Sequence, residues 1–143
     1  MQLSESSIYI GLKRLRRILY QAQFLMGKAD RIVYGTPLMQ ECANVLRYYI
    51  LAFDTKSRKT EYMDEAMGWY AVLREDIEFC TEQNKIHYAK RKPKTSDPTP
   101  DEYINSQKIE LFEIVARIDA DMCRYRASLI NGKTVVDFEA TAD

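Results

Sequence analysis

Apolar residues return every three or four positions along four stretches of this chain, with polar or Gly/Pro-bearing breaks between them. In the first stretch, about 6–32, Ile8, Leu12, Leu15, Leu19, Ala22 and Leu25 fall on one helical face, with Lys13, Arg14, Arg16 and Arg17 opposite. Tyr34-Gly35-Thr36-Pro37 then predicts a stop and a restart. Glycine suits the left-handed residue that ends a helix, threonine an N-cap, and proline a first turn where its missing N–H costs nothing. The second stretch, about 37–54, carries Leu38, Cys42, Val45, Leu46, Tyr49, Ala52 and Phe53.

A short polar link, Thr55 to Arg58, leads to a third stretch at about 59–83, striped by Met63, Ala66, Met67, Tyr70, Leu73, Ile77 and Cys80. A link that short favours antiparallel neighbours. Residues 84–98 lose the rhythm and hold Lys90-Arg91-Lys92-Pro93-Lys94, which predicts one long connection. Thr99-Pro100-Asp101-Glu102 is a start signal in which Glu102 bonds back to the N–H of the Thr99 cap. A fourth stretch, about 100–130, follows with Ile104, Leu111, Val115, Ile118, Met122, Tyr125 and Leu129, up to Asn131-Gly132. The pattern predicts an all-α domain over 1–133, an antiparallel up-down four-helix bundle with a long loop between its third and fourth helices. A mildly acidic tail, 134–143, follows it.

Composition agrees with that picture. A length of 143 residues suits one domain, 46% hydrophobic content can fill a core, and 5 Gly with 4 Pro argue against a turn-rich β fold. Cys42, Cys80 and Cys123 sit singly within predicted helices and read as reduced, buried thiols. His87 is the one histidine, so no Cys/His metal cluster and no Ser–His or Cys–His nucleophile is in view. Gly-rich phosphate loops and repeated Glu-x-x-His pairs are also missing, so the expectation is a protein with no catalytic site, cofactor or metal of its own. The carboxylate pairs Asp64-Glu65, Glu75-Asp76 and Asp119/Asp121 read as solvated helix faces. No leader-like or membrane-spanning run is present, and the expected location is the cytoplasm.

Net charge is zero, 21 bases against 21 acids, but the charges are segregated. Residues 1–34 hold six bases and two acids, 85–94 five bases and no acid, and 54–83 eight acids and four bases. Lys13-Arg14-Leu15-Arg16-Arg17 reads either as a phosphate-contacting patch or as a face that is solvated or pairs with the acidic third helix of a neighbour. Lys90, Arg91 and Lys92 either track a nucleic-acid backbone or solubilise a linker. Tyr48-Tyr49 and Trp69-Tyr70 place adjacent rings on neighbouring helix faces, for contacts within or between subunits or for base stacking.

Tyr34-Gly-Thr-Pro-Leu-Met-Gln-Glu-Cys42, Ala52-Phe53, Met67-Gly-Trp-Tyr-Ala-Val-Leu-Arg74, Thr99-Pro100, Val115-Ala-Arg-Ile118 and Cys123-Arg-Tyr-Arg-Ala-Ser-Leu129 together resemble the Avd-like four-helix bundle family. Avd is the accessory variability determinant of diversity-generating retroelements; bundles encoded by intervening sequences of rRNA genes are related. The likeness spans roughly residues 19–133. It implies a homo-oligomer, a pentamer in that family, that binds RNA or an RNA–DNA hybrid and a reverse transcriptase making mutagenic cDNA. It also implies that the bundle supplies no chemistry. Arg74, Arg124 and Arg126 fall in matching basic stretches and are carried over as nucleic-acid contacts. Members of that family are distinctly basic, whereas this chain is neutral, so binding would require its basic segments to converge. The alternative expectation is a structural or protein-interaction bundle with no nucleic-acid role.

Overall fold

The structure, a computed structural model, describes residues 1–86 and 100–131, with backbone alone over 100–106. Among the described residues every regular element is helical and there is no strand. After a turn at Leu3–Glu5 come α1 (Ser7–Phe24), a single helical turn α2 (Lys28–Asp30), α3 (Thr36–Asp54), α4 (Lys59–Glu82) and α5 (Pro100–Ile130).

The stripes predicted from spacing line the core. Ile8, Leu12, Leu15, Leu19 and Ala22 of α1 meet Leu38, Cys42, Val45, Leu46, Tyr49 and Ala52 of α3 in one buried cluster. Helix α4 adds Met63, Ala66, Tyr70, Leu73, Ile77 and Cys80; α5 adds Leu111, Val115, Ile118, Met122 and Tyr125. Ile86 and Ile114 join them and Met26 is also buried, although the periodicity did not single them out. Helix α1 packs on α3 and α5, and α4 packs on the same two. Each amphipathic helix therefore buries its stripe between two neighbours, the arrangement the hydrophobic effect favours when no helix is apolar all round.

Polar groups follow the burial. Ser6 caps α1 by accepting from the Tyr9 N–H, and its hydroxyl also hydrogen-bonds the buried Tyr49 hydroxyl of α3. Tyr70 of α4 donates to the Val115 carbonyl of α5 at 2.6 Å. The rings of Tyr49 and Tyr125 meet edge to face with centroids 6.0 Å apart. Burial pushes the Tyr125 phenol up to about 12, so it stays neutral at any physiological pH.

The first hairpin differs from expectation. Helix α1 ends at Phe24, not near Ile32, and Leu25 is 46% exposed. The chain turns at Leu25–Gly27, and from Lys28 to Asp54 the backbone stays helical through Gly35, Thr36 and Pro37. Gly35 is not a left-handed stop (φ −67°, ψ −52°) and Thr36 is not a cap. Arg31–Gly35 forms one widened turn in which the Thr36 N–H reaches the Arg31 carbonyl, five residues back. Widening moves the preceding carbonyls away from the Pro37 ring, which in a regular helix would strike the carbonyl four residues earlier.

Two tertiary contacts place the turn. Arg31 folds back to donate to the carbonyls of Gln23, Phe24 and Met26, each at 3.3 Å, satisfying the open end of α1. Gly35 is buried, and a Cβ there would come within 2.9 Å of Gln23 Cγ and 3.1 Å of Met26 Sδ. The glycine thus serves close approach, not helix termination.

At the α3–α4 link, Lys59 donates to the Ala52 and Phe53 carbonyls at 2.9 and 2.8 Å and closes the end of α3 in the same way. Arg58 just before it is left-handed, with φ 62°. Helix α5 begins at Pro100 as the start signal requires, while the Thr99 cap lies outside the described residues. The greater part of the expected long loop and the tail also lie outside them. Of the cysteines, Cys42 and Cys80 are buried but Cys123 is exposed, because it faces away from the Met122 and Tyr125 stripe of α5.

A test follows from the hairpin geometry. Gly35→Val should destabilise the fold by about 1–3 kcal/mol through overpacking. Gly27→Ala, where a Cβ meets nothing within 4 Å, should stay within about 0.5 kcal/mol of wild type. Urea denaturation midpoints of the two variants check this directly.

Candidate nucleic-acid interface

The basic segment of α1 lies where an amphipathic helix puts it, opposite the core stripe. Lys13, Arg14, Arg16 and Arg17 are all exposed. Their surroundings differ. Arg14, on the α5 side, pairs with Glu110 at 2.7 Å. Lys13 sits 5.8 Å from the centre of the Tyr9 ring, a cation–π contact along the helix. Among the described residues, Lys13, Arg16 and Arg17 have no carboxylate within ion-pair distance.

The remaining candidates scatter. Arg74 of α4 pairs with Asp119 of α5 at 3.1 Å, and Arg126 of α5 pairs with Asp64 of α4, so both stitch the α4–α5 seam. Arg124 pairs with Asp121 at 2.7 Å within α5. Lys90, Arg91 and Lys92 lie outside the described residues. Among the described residues, three of the predicted cations therefore share one exposed helix face without an anion partner, while four already have one. Solvent-exposed pairs of this kind are worth roughly 0–1 kcal/mol each, so a phosphate could compete for them. It would first have to displace an acid.

Sequence reasoning passed over Arg47 on α3 and Arg117 on α5, both exposed and without an acid partner among the described residues. Each is isolated along the chain, so no charge run marks it. The fold also brings distant charges together at one end, where Lys85 meets Asp30 at 3.4 Å and lies 5.8 Å from the Tyr34 ring centre.

A correction concerns the carboxylates. Asp76 does not sit on a wholly solvated face: it is half-buried and faces Glu41 of α3 across the α3–α4 seam. Burial, then the hydrogen bond to Asp76 and its negative charge, raise the Glu41 carboxyl from 4.5 to about 8. Near neutrality Glu41 therefore keeps its proton and donates to Asp76, while its Oε2 is buried. The thiols nearby are no more reactive. Burial pushes Cys42 up to about 11, partly offset by Arg16, and pushes Cys80 to about 11 with help from Asp76 and Glu41. Neither is a thiolate nucleophile near neutral pH.

Among the described residues, no three His, Cys, Asp or Glu side chains gather into a metal-holding group. None of the described helices is long and apolar enough to cross a membrane. Comparison with family models, curated proteins and solved structures finds no match to this chain.

The Glu41–Asp76 pair makes stability depend on pH. Glu41 ionises near 4.5 in the unfolded chain and near 8 in the folded one, so between those values the native state holds the extra proton. Its stabilisation is full below about pH 4.5 and is lost as pH rises through about 8. The melting temperature of wild type should fall by roughly 5 °C between about pH 5 and about pH 8.5. Glu41→Gln should lose most of that dependence, as read by thermal melts across the range.

Proposed function

We propose that this chain is a non-enzymatic accessory protein that binds nucleic acid and a reverse transcriptase in a diversity-generating retroelement. In this reading it is an up-down antiparallel four-helix bundle with one long connection between α4 and α5, assembles as a homo-oligomer in the cytoplasm and leaves the chemistry to its partner. The order of cross-helix contacts supports the topology. Along α4 and α5, Asp64 meets Arg126 while Tyr70 meets Val115, so positions rise on one helix as they fall on the other. Between α1 and α3, Ser6 meets Tyr49 near one end and Gln23 approaches Gly35 near the other.

The observation that carries the nucleic-acid reading is the exposed α1 face, where Lys13, Arg16 and Arg17 lie together with no acid partner among the described residues. Such a cluster attracts phosphate irrespective of base sequence, which suits a protein handling varied cDNA. The nearby Tyr20, half exposed, is a ring on which a base can stack. The resemblance to Avd-like bundles supplies the partner and the biological setting.

A second reading, a protein-interaction bundle that touches no nucleic acid, is favoured by one specific observation. Arg14, Arg74, Arg124 and Arg126 are engaged by carboxylates, which fits a neutral chain whose cations serve protein contacts.

Fluorescence anisotropy with single-stranded RNA and with an RNA–DNA hybrid, titrated across salt, separates the two. Three phosphate contacts to a single strand give a slope of log affinity against log salt of about −2. Changing Lys13, Arg16 and Arg17 together to Glu should weaken binding at least ~10-fold and flatten that slope, equally for all sequences. Arg74→Gln should leave both nearly unchanged. Absence of binding by wild type even at low salt would leave the protein-interaction reading.

A further inference from the structure

Helix α4 turns its acids outward. Glu65, Gly68, Val72, Glu75, Phe79 and Glu82 recur at alternating three- and four-residue steps on the side away from the core, with Glu78 beside them, and all are exposed. Val72 and Phe79 remain 46% and 49% exposed. Phe79 lies against the Tyr34 ring, with centroids 6.3 Å apart, which holds it in place at the surface.

Charge narrows what this row can receive. Among the described residues, Glu65, Glu75, Glu78 and Glu82 have no cation within ion-pair distance. Both bases of α4 are already engaged, Arg74 by Asp119 at 3.1 Å and Lys59 by the Ala52 and Phe53 carbonyls. The row is therefore apolar at Val72 and Phe79 and anionic around them. Such a field repels nucleic acid and anionic lipid and attracts a cationic protein segment.

Shape narrows it further. Alternating steps of three and four are the seam along which a second helix packs lengthwise. From Glu65 to Glu82 the seam runs about 25 Å, the length of an ~18-residue helix. Gly68 lies within it. A glycine inside a helix weakens it, so its presence calls for a neighbour that needs the room. Gly35 has such a neighbour in Gln23 and Met26, and Gly11 has one in Ile118, whose Cγ1 would lie 2.9 Å from an added Cβ. At Gly68 an added Cβ meets nothing within 4 Å, so the room there is open to an incoming helix.

We propose that the outer face of α4 docks a basic amphipathic helix of a partner protein. Apolar residues of that helix cover Val72 and Phe79 and pass close over Gly68, while its flanking Lys or Arg side chains meet Glu65, Glu75, Glu78 and Glu82. Helices α1 and α4 each pack on α3 and α5, so a helix seated on the outer face of α4 leaves Lys13, Arg16 and Arg17 clear. The proposal holds whether or not α1 binds nucleic acid, and its test contains none.

Fluorescence anisotropy of a labelled peptide of about 20 residues, with leucine at three- and four-residue steps and lysine on both flanks, titrated with the full chain, reads the contact. Wild type should bind it in the micromolar range or tighter, less so as salt rises. The same residues in an order that scatters the leucines should bind at least ~10-fold more weakly. Glu75→Lys with Glu82→Lys, and separately Phe79→Gln, should each cost at least ~10-fold in affinity. Glu113→Lys, at an exposed acid of α5, should stay within about threefold of wild type. Gly68→Gln should weaken binding at least ~10-fold while raising the melting temperature of the chain by a few degrees, so the loss cannot be laid to unfolding. No binding by wild type at low salt would overturn the proposal, as would equal binding of the scattered peptide or an equal loss in Glu113→Lys. Peptide affinity that falls as the chain is concentrated would mean that a second copy takes the row, and would overturn it too.

Discussion

The Tyr70 hydroxyl donates to the Val115 carbonyl inside the core, and the placement of α5 depends on contacts of this kind. Helices α1, α3 and α4 are joined by tight links that restrict where each can lie; α5 must be docked by what its own side chains and backbone meet. Three buried tyrosines do much of this, Tyr70 through its hydrogen bond, Tyr49 and Tyr125 through an edge-to-face ring contact. A buried phenol left without a partner costs about 1–3 kcal/mol, so the Tyr70 hydrogen bond favours one rotation of α5 over merely apolar packing. Gly11 adds a steric condition, since Ile118 occupies the space a side chain would need.

Helix ends impose a second set of conditions. The last carbonyls of α1 are met by Arg31 and those of α3 by Lys59, each from a residue just past the turn. Burial lowers the Lys59 ammonium below its ordinary range, opposed by Asp54, and the group stays useful because the α3 carbonyls supply partial negative charge. These cations are thereby withdrawn from any external ligand. The same holds in weaker form for Arg14, Arg74 and Arg126 at the α5 seams and for Arg124 within α5. What remains for a partner is decided by which cations the fold has left without an acid, and on α1, among the described residues, these are Lys13, Arg16 and Arg17. Zero net charge therefore describes this surface poorly: a cationic face on α1 and an anionic one on α4 cancel only in the sum. Steering by such a surface depends on the local field and is felt over about a Debye length.

The Glu41–Asp76 pair shows the cost of placing acids at a helix seam. Two carboxyls close together in a partly buried site cannot both ionise, so one keeps its proton and becomes a donor. Near neutrality Glu41 is then uncharged and hydrogen-bonded to Asp76, held between α3 and α4 beside the buried Cys80. The pair is an arrangement that titrates between two packed helices.

Periodicity determined what one-dimensional spacing can determine. The core stripes of α1, α3, α4 and α5 follow from apolar steps of three and four, and the short α3–α4 link from four polar residues. The basic face of α1 was equally legible, since charge opposite a stripe must be solvent-facing. The α1–α3 turn was not. Leu25 continues the apolar rhythm and Gly35-Thr36-Pro37 has the composition of a break, yet the chain turns at Leu25–Gly27. Arg31 reaching back to three carbonyls and Gly35 pressed against Gln23 and Met26 decide the matter, and both are contacts between segments that spacing treats separately. Only tertiary structure could reveal that Arg74 and Arg126 serve a helix seam and that Asp76 lies against Glu41. It alone could place Cys123 outside the core and show that a Cβ at Gly68 meets nothing among the described residues. The physical reason is common to all of these: a stripe depends on a residue's angle about its own helix, whereas a partner depends on where a second helix has come to rest.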